Sequence, residues 1–205
     1  MYDKTGMTTI RYALKHKPMI TSLLTDEDMD DLLATSSNIS FLLAGDIFSL
    51  EKMVARVRDA GKLVFVHFDL IAGIGKDNAG VRFLADQVGA DGIVTTRSNI
   101  VLASKRHNMM TVQRLFALDS VSIDNGMRVI KTTQPDAIEV LPGIVVPRII
   151  ERIHREIDVP VIAGGLITDL FDVEAALACG AVGISTSAKK LWQWQDERLV
   201  KNKSQ

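Results

Sequence analysis

Val161-Ile-Ala-Gly-Gly-Leu-Ile167 and Gly183-Ile-Ser-Thr-Ser-Ala188 are each an apolar run that breaks into small residues. The apolar part has the composition of a buried strand, and Gly, Ser or Thr at its end lets backbone come close to a ligand. Backbone N–H groups exposed at such an end, followed by a helix N-terminus, form an anion site. Strand-like runs also occur at 19–24, 39–45, 63–69, 92–96, 111–117 and 137–142, and with 160–165 and 182–186 they make eight. Helix patterns lie between them. Thr25 and Asp28 read as a capping box ahead of Met29, Leu32 and Leu33. Ser49 is placed to cap a helix carrying Met53, Val54 and Val57, which Gly61 closes. Gly89 and Gly180 occupy the same stop position in later units, and Pro147 opens another helix.

Eight strands alternating with helices predict an α/β fold, a (β/α)8 TIM-type barrel, with the last two strand ends forming a phosphate pocket. An internal echo supports closure. Gly89-Ala-Asp-Gly-Ile-Val94 resembles Gly180-Ala-Val-Gly-Ile-Ser185, and the stretch from Val64 to Ile71 resembles that from Pro160 to Ile167, a half-barrel offset. An open doubly wound sheet is the structural alternative. The expected organisation is an N-terminal extension over 1–17, one barrel over 18–192 and a C-terminal tail over 193–205. Trp192 and Trp194, with Leu191 and Leu199, either seal the barrel, the favoured reading, or form a subunit contact.

With 205 residues, 47% hydrophobic and 24% charged, the chain has room for one substantial core. A formal charge of −1 gives no global basic field for nucleic acid, although a local basic face is compatible with it. The single cysteine, Cys179, excludes an internal disulfide and suits a reducing cytoplasm. No segment has the roughly 20 apolar residues of a membrane span, and no signal pattern opens the chain. Self-association is left open.

In a barrel, function gathers at the carboxyl ends of the strands. There the sequence places His67 and Asp69, Thr96 and Arg97, Arg114, Asp119 and Ser120, and Glu139. His67 and Asp69 could hold a divalent metal or move protons. Alternatively, Asp69 accepts a ligand or backbone hydrogen bond while His67 packs in a polar layer. No further His or Cys completes a metal shell, so no metal is expected. His16, His107 and His154 read as surface residues. Glu139 sits within an apolar strand, where a carboxylate is costly unless paired; it binds ligand hydroxyls or pairs with an arginine such as Arg114. No lysine lies within a strand run, as a Schiff-base aldolase requires, and no carboxylate pair forms an acid/base couple. No catalytic residue and no cofactor are assigned. Basic groups at Lys105-Arg106-His107, at Arg148, Arg152 and Arg155, and at Lys189-Lys190 read as solvated helix faces. The RNA-binding residues therefore stay unknown.

The motifs resemble those of the glycerol-3-phosphate-responsive antiterminators, also called glycerol uptake operon antiterminator regulatory proteins. The likeness rests on His67-Phe-Asp-Leu-Ile-Ala-Gly-Ile74, Asp91-Gly-Ile-Val-Thr-Thr-Arg97 and Gln113-Arg-Leu-Phe-Ala-Leu-Asp-Ser120. It continues through Pro135-Asp136, Ile138-Glu-Val-Leu-Pro-Gly-Ile144, Ile162-Ala-Gly-Gly-Leu-Ile167 and Ser185-Thr-Ser187 to Leu191-Trp192. It spans about Pro18 to Trp192, and the order and number of the motifs make it specific. The resemblance implies a barrel that senses sn-glycerol 3-phosphate and promotes transcription through the leader mRNA of glycerol-utilisation genes. Gly164, Gly165, Ser185, Thr186 and Ser187 would then hold the phosphate. Asp69 and Glu139 would accept from the glycerol hydroxyls, and His67 or Arg97 would close the mouth. The alternative is an isomerase, epimerase or synthase of the same fold acting on a small phosphorylated substrate.

Overall fold

Alternate side chains of a strand turn to opposite faces, so a strand buried on both faces belongs between a barrel interior and a layer of helices. The computed structural model describes residues 5–203, with side chains described as far as Glu197. Its strands are β1 (Met19–Leu23), β2 (Ile39–Leu42), β3 (Leu63–His67), β4 (Gly92–Thr95), β5 (Met110–Phe116), β6 (Ala137–Leu141), β7 (Val161–Gly164) and β8 (Gly183–Thr186). All pair in parallel with their sequence neighbours, and β8 pairs with β1 to close the barrel.

A helix follows every strand: α2 (Met29–Ala34), α3 (Leu50–Asp59), α4 (Asn78–Phe83), α5 (Ser98–Arg106), α6 (Ser120–Thr133), α7 (Val146–Glu156), α8 (Leu170–Ala178) and α9 (Lys189–Lys203). Gly61, Gly89 and Gly180 stop their helices at φ of 74°, 70° and 111°, where a Cβ would be strained. Two of the expected caps differ. Ser49 already has helical angles, so its hydroxyl cannot reach forward to the first-turn amides. Asp46 accepts from the Phe48 and Ser49 N–H groups instead, at 3.0 and 2.9 Å. The Thr25 hydroxyl donates to the Asp28 carboxylate at 3.2 Å and accepts no backbone bond, because a single 3-10 turn intervenes. Asp77, Asp119 and Asp169 cap α4, α6 and α8, which gives Asp119 a structural role.

The interior fills in layers. Ile20, Phe41, Phe65, Val94, Val112 and Ile162 form an apolar middle layer. Beneath it lies α1 (Thr5–Leu14), whose Ile10, Ala13 and Leu14 join the same cluster and plug the amino-terminal end of the barrel. Gly183 leaves the space for this plug, since a Cβ there would stand 2.8 Å from Leu14 Cδ1. At the other end of the chain, α9 is fastened to β8 by the buried Trp192, whose indole N–H donates to the Thr186 carbonyl at 2.8 Å. Trp194 is half-buried, and the Leu199 side chain lies outside the described residues. Among the described residues no helix is long and apolar enough to cross a membrane.

Ile10 is fully buried in the plug, so Ile10→Ala should destabilise the fold by about 2–5 kcal/mol in denaturant unfolding. A change near zero would show that α1 is not part of the core.

Candidate ligand-binding site

Two residues beyond the apolar layer, the same inward register becomes polar. His67 follows Phe65, Arg114 follows Val112, Glu139 follows Ala137, and Ser185 follows Gly183. The Arg114 and Glu139 Cα atoms are direct partners across β5 and β6. Arg114 Nε donates to Glu139 Oε2 at 2.6 Å, with the Glu139 side chain 3% exposed. The Ser185 hydroxyl donates to the other carboxylate oxygen. Glu139 is thereby satisfied by an arginine, as one of the two sequence readings has it. Gly164 is in register with Ser185, and a Cβ there would collide with both Glu139 and the Ser185 hydroxyl. Its smallness serves this close packing.

Arg114 Nη1 lies 2.7 Å from His67 Nε2. A guanidinium can only donate, so Nε2 accepts and the ring proton resides on Nδ1. Burial, reinforced by the neighbouring Arg114 charge, pushes His67 down to about 4. The imidazole is therefore neutral at neutral pH and unsuited to being a cationic phosphate clamp. Nδ1 is buried without a partner.

Above this floor opens a cleft of about 290 Å³ at the ends of β7 and β8. Its lining includes Arg114, Glu139, Gly165, Ser185, Thr186 and Ser187. Gly165 and Leu166 both have positive φ, 72° and 58°, which turns the β7 exit sharply across the mouth. The Thr186 hydroxyl bridges the two loops, donating to the Ile167 carbonyl at 3.2 Å and accepting from the Ala188 N–H at 3.1 Å. Ser187 is exposed at the rim.

The remaining expected residues lie elsewhere. Asp69 accepts from the Thr95 hydroxyl at 2.9 Å, the Thr96 N–H at 3.1 Å and Arg97 Nε at 2.7 Å. Burial alone would raise its carboxyl, but these donors hold it below the ordinary value. Asp69 and Arg97 thus pair with each other beside the mouth, and His67 reaches the cleft only through Arg114. Among the described residues no group of three His, Cys, Asp or Glu side chains could hold a metal ion. The cleft also uses Ser22, Leu43 and Thr168, absent from the sequence-based site. Ser22 carried a signal, as a hydroxyl near the end of an apolar strand. Leu43 and Thr168 carried none.

This cleft, edged by hydroxyls and lined in part by Leu43, Leu166, Ile167 and Ala188, lies at the last two strand ends, where (β/α)8 barrels commonly hold a phosphate. A family model for the glycerol-3-phosphate responsive antiterminators matches residues 19–192, and the chain belongs to that family. The chain superposes on the glycerol uptake operon antiterminator regulatory protein of Listeria monocytogenes with a TM-score of 0.82 and 34% identity, covering 86% of this chain and 95% of that one. A glycerol uptake operon antiterminator-related protein from Thermotoga maritima gives a TM-score of 0.78 and 32% identity over 87% and 99%. An Escherichia coli K12 protein, YgcP, is 31% identical over 183 residues, 88% of this chain and 94% of its own length.

His67 binds a proton less readily in the folded chain than in the unfolded one. Below about pH 6.5 the unfolded state holds more protons, so stability falls as the pH drops toward 4. The loss from this group is on the order of 3 kcal/mol. His67→Gln keeps an acceptor for Arg114 and removes the titration. Its unfolding free energy should decline less steeply than wild type between pH 6.5 and 4.5, and parallel curves would contradict the assignment.

Proposed function

We propose that this protein senses sn-glycerol 3-phosphate in the barrel mouth and, with that effector bound, acts on the leader mRNA of glycerol-utilisation genes. The observation that carries the reading is the cleft itself. Hydroxyls of Ser185, Thr186 and Ser187 and the backbone turn at Gly165 and Leu166 stand over the Arg114–Glu139 pair. The small volume suits a short phosphorylated polyol better than a nucleotide. The phosphate takes the rim, near Ser187 and the start of α9, where helix amides favour an anion. The polyol points down, its hydroxyls sharing Glu139 with Ser185 and Arg114.

The protein acts as a sensor in the cytoplasm, with no cofactor and no turnover of its ligand. Support comes from how the polar floor is committed: Glu139 is held by two donors and His67 receives a bond from Arg114. None of the strands carries a lysine. Ligand must bind two states of the protein unequally to send a signal, because equal binding shifts nothing.

Isothermal titration with sn-glycerol 3-phosphate should show saturable binding, with glycerol and inorganic phosphate binding far more weakly. Ser187→Asp places a carboxylate against the phosphate and should weaken binding by at least about a hundredfold. Consumption of the ligand would move the case to an enzyme, and no binding would sink the reading. For RNA, binding should weaken with salt, each contacted single-strand phosphate contributing roughly −0.7 to the slope of log K against log salt. A flat dependence would exclude phosphate contacts.

A further inference from the structure

Fourteen large hydrophobic residues are exposed among the described residues, and all but Tyr12, Leu102 and Val129 lie on the strand ends, loops or helix starts at the carboxyl ends of the strands. The densest group spans three consecutive loops, after β5, β6 and β7. It comprises Phe116, Leu118, Val121, Ile144, Leu166 and Phe171, with Leu118 78% and Phe171 79% exposed. These loops are tied into one surface, because the Ala117 N–H donates to the Leu141 carbonyl at 2.7 Å and the Gly143 N–H to the Gly165 carbonyl at 2.9 Å. Taking about 150–200 Å² for a fully exposed side chain, the six present on the order of 700 Å² of mostly apolar surface. The largest apolar patch of an ordinary monomer is about 300–600 Å², and a stable dimer buries about 800 Å² per partner.

From this we infer that the arc over β5 to β7 is a self-association surface, docking a second copy of this chain across a two-fold axis. The area is what such a contact requires. Its charges disfavour a polyanion: Asp119, Asp169 and Asp172 outnumber Arg148 around the arc, so RNA backbone is repelled there. The same charges suit a two-fold contact, which can bring Arg148 of one protomer to the acidic helix starts of its partner.

Leu166 links this surface to the cleft. It is 66% exposed, it lines the cleft, and it holds φ at 58°, a region that leucine adopts only under strain. A side chain shared by rim and cleft couples occupancy of one to the other. This coupling rests on the glycerol-phosphate reading, whereas the contact between copies does not.

The test is sedimentation velocity on the full chain across the micromolar range, with and without sn-glycerol 3-phosphate, beside a titration of that ligand. Wild type should be a dimer that dissociates on dilution. Leu118→Ser and Phe171→Ser, exposed positions whose folding is checked by circular dichroism, should each weaken the dimer by about tenfold or more. Tyr12→Ser, exposed but on the plug helix, should leave it unchanged. Ligand should shift the dissociation constant measurably. A wild type that stays monomeric at all concentrations overturns the proposal, as does a dimer broken by Tyr12→Ser and not by the rim variants. A monomer that binds single-stranded RNA and loses it on Phe171→Ser also overturns it, in favour of an RNA surface. Ligand that binds without moving a rim-dependent dimer sinks the coupling alone. A rim-dependent dimer without ligand binding sinks the glycerol-phosphate reading and leaves the contact standing.

Discussion

The Arg114–Glu139 ion pair, largely buried at the floor of the barrel mouth, is the constraint from which the rest of the upper half follows. Two charges taken out of water lose several kcal/mol of hydration each, and only excellent geometry with further hydrogen bonds offsets that. Each neighbour supplies a part of that compensation. Ser185 takes the second carboxylate oxygen, His67 accepts from the guanidinium, and Gly164 stays small so that the carboxylate can sit where it does. A barrel filled with apolar side chains to the top would have no mouth chemistry. Here a polar layer forms a floor of fixed polarity, so a ligand entering from above meets groups already oriented.

A second asymmetry comes from the helices. Their amino-terminal ends gather at the mouth, each contributing unpaired amides and partial positive charge. Asp77, Asp119 and Asp169 take up part of that potential as caps. At the start of α9 no acidic residue occupies the first turn, and Lys189 is held by Asp28 and Asp31. The starts of α5 and α7 likewise carry no acidic first turn, so what distinguishes the α9 start is its place beside the strand ends with small hydroxylated residues.

Much of this was legible in the chain. Seven of the eight strands appear within two residues of their apolar runs and β2 stops three residues short of its run, because strands buried on both faces have no polar alternation to obscure them. Of the small residues singled out there, Gly165 and residues 185–187 line the cleft, whereas Gly164 packs against Glu139. Pairing was harder to read. Arg114 and Glu139 stand 25 positions apart, and only the register of β5 against β6 decides whether they meet. The same holds for Asp69, whose donors come from the next strand end. The reason for Gly164 was hidden too, since a glycine that spares a carboxylate reads the same as one that spares a phosphate. The amino-terminal helix read as an extension because a plug shows its purpose only once there is a ring to close.

That plug depends on contacts remote along the chain. Ile10 and Leu14 pack among residues as distant as Ile162, and the Met19 amide is held by the Gln195 side chain at 2.8 Å. Helix α1 can bury its apolar face only once the strands around it are in place. Contacts this remote along the chain fold slowly and leave apolar surface open to aggregation in the meantime. Truncated translation products should therefore be among the most aggregation-prone forms of this chain.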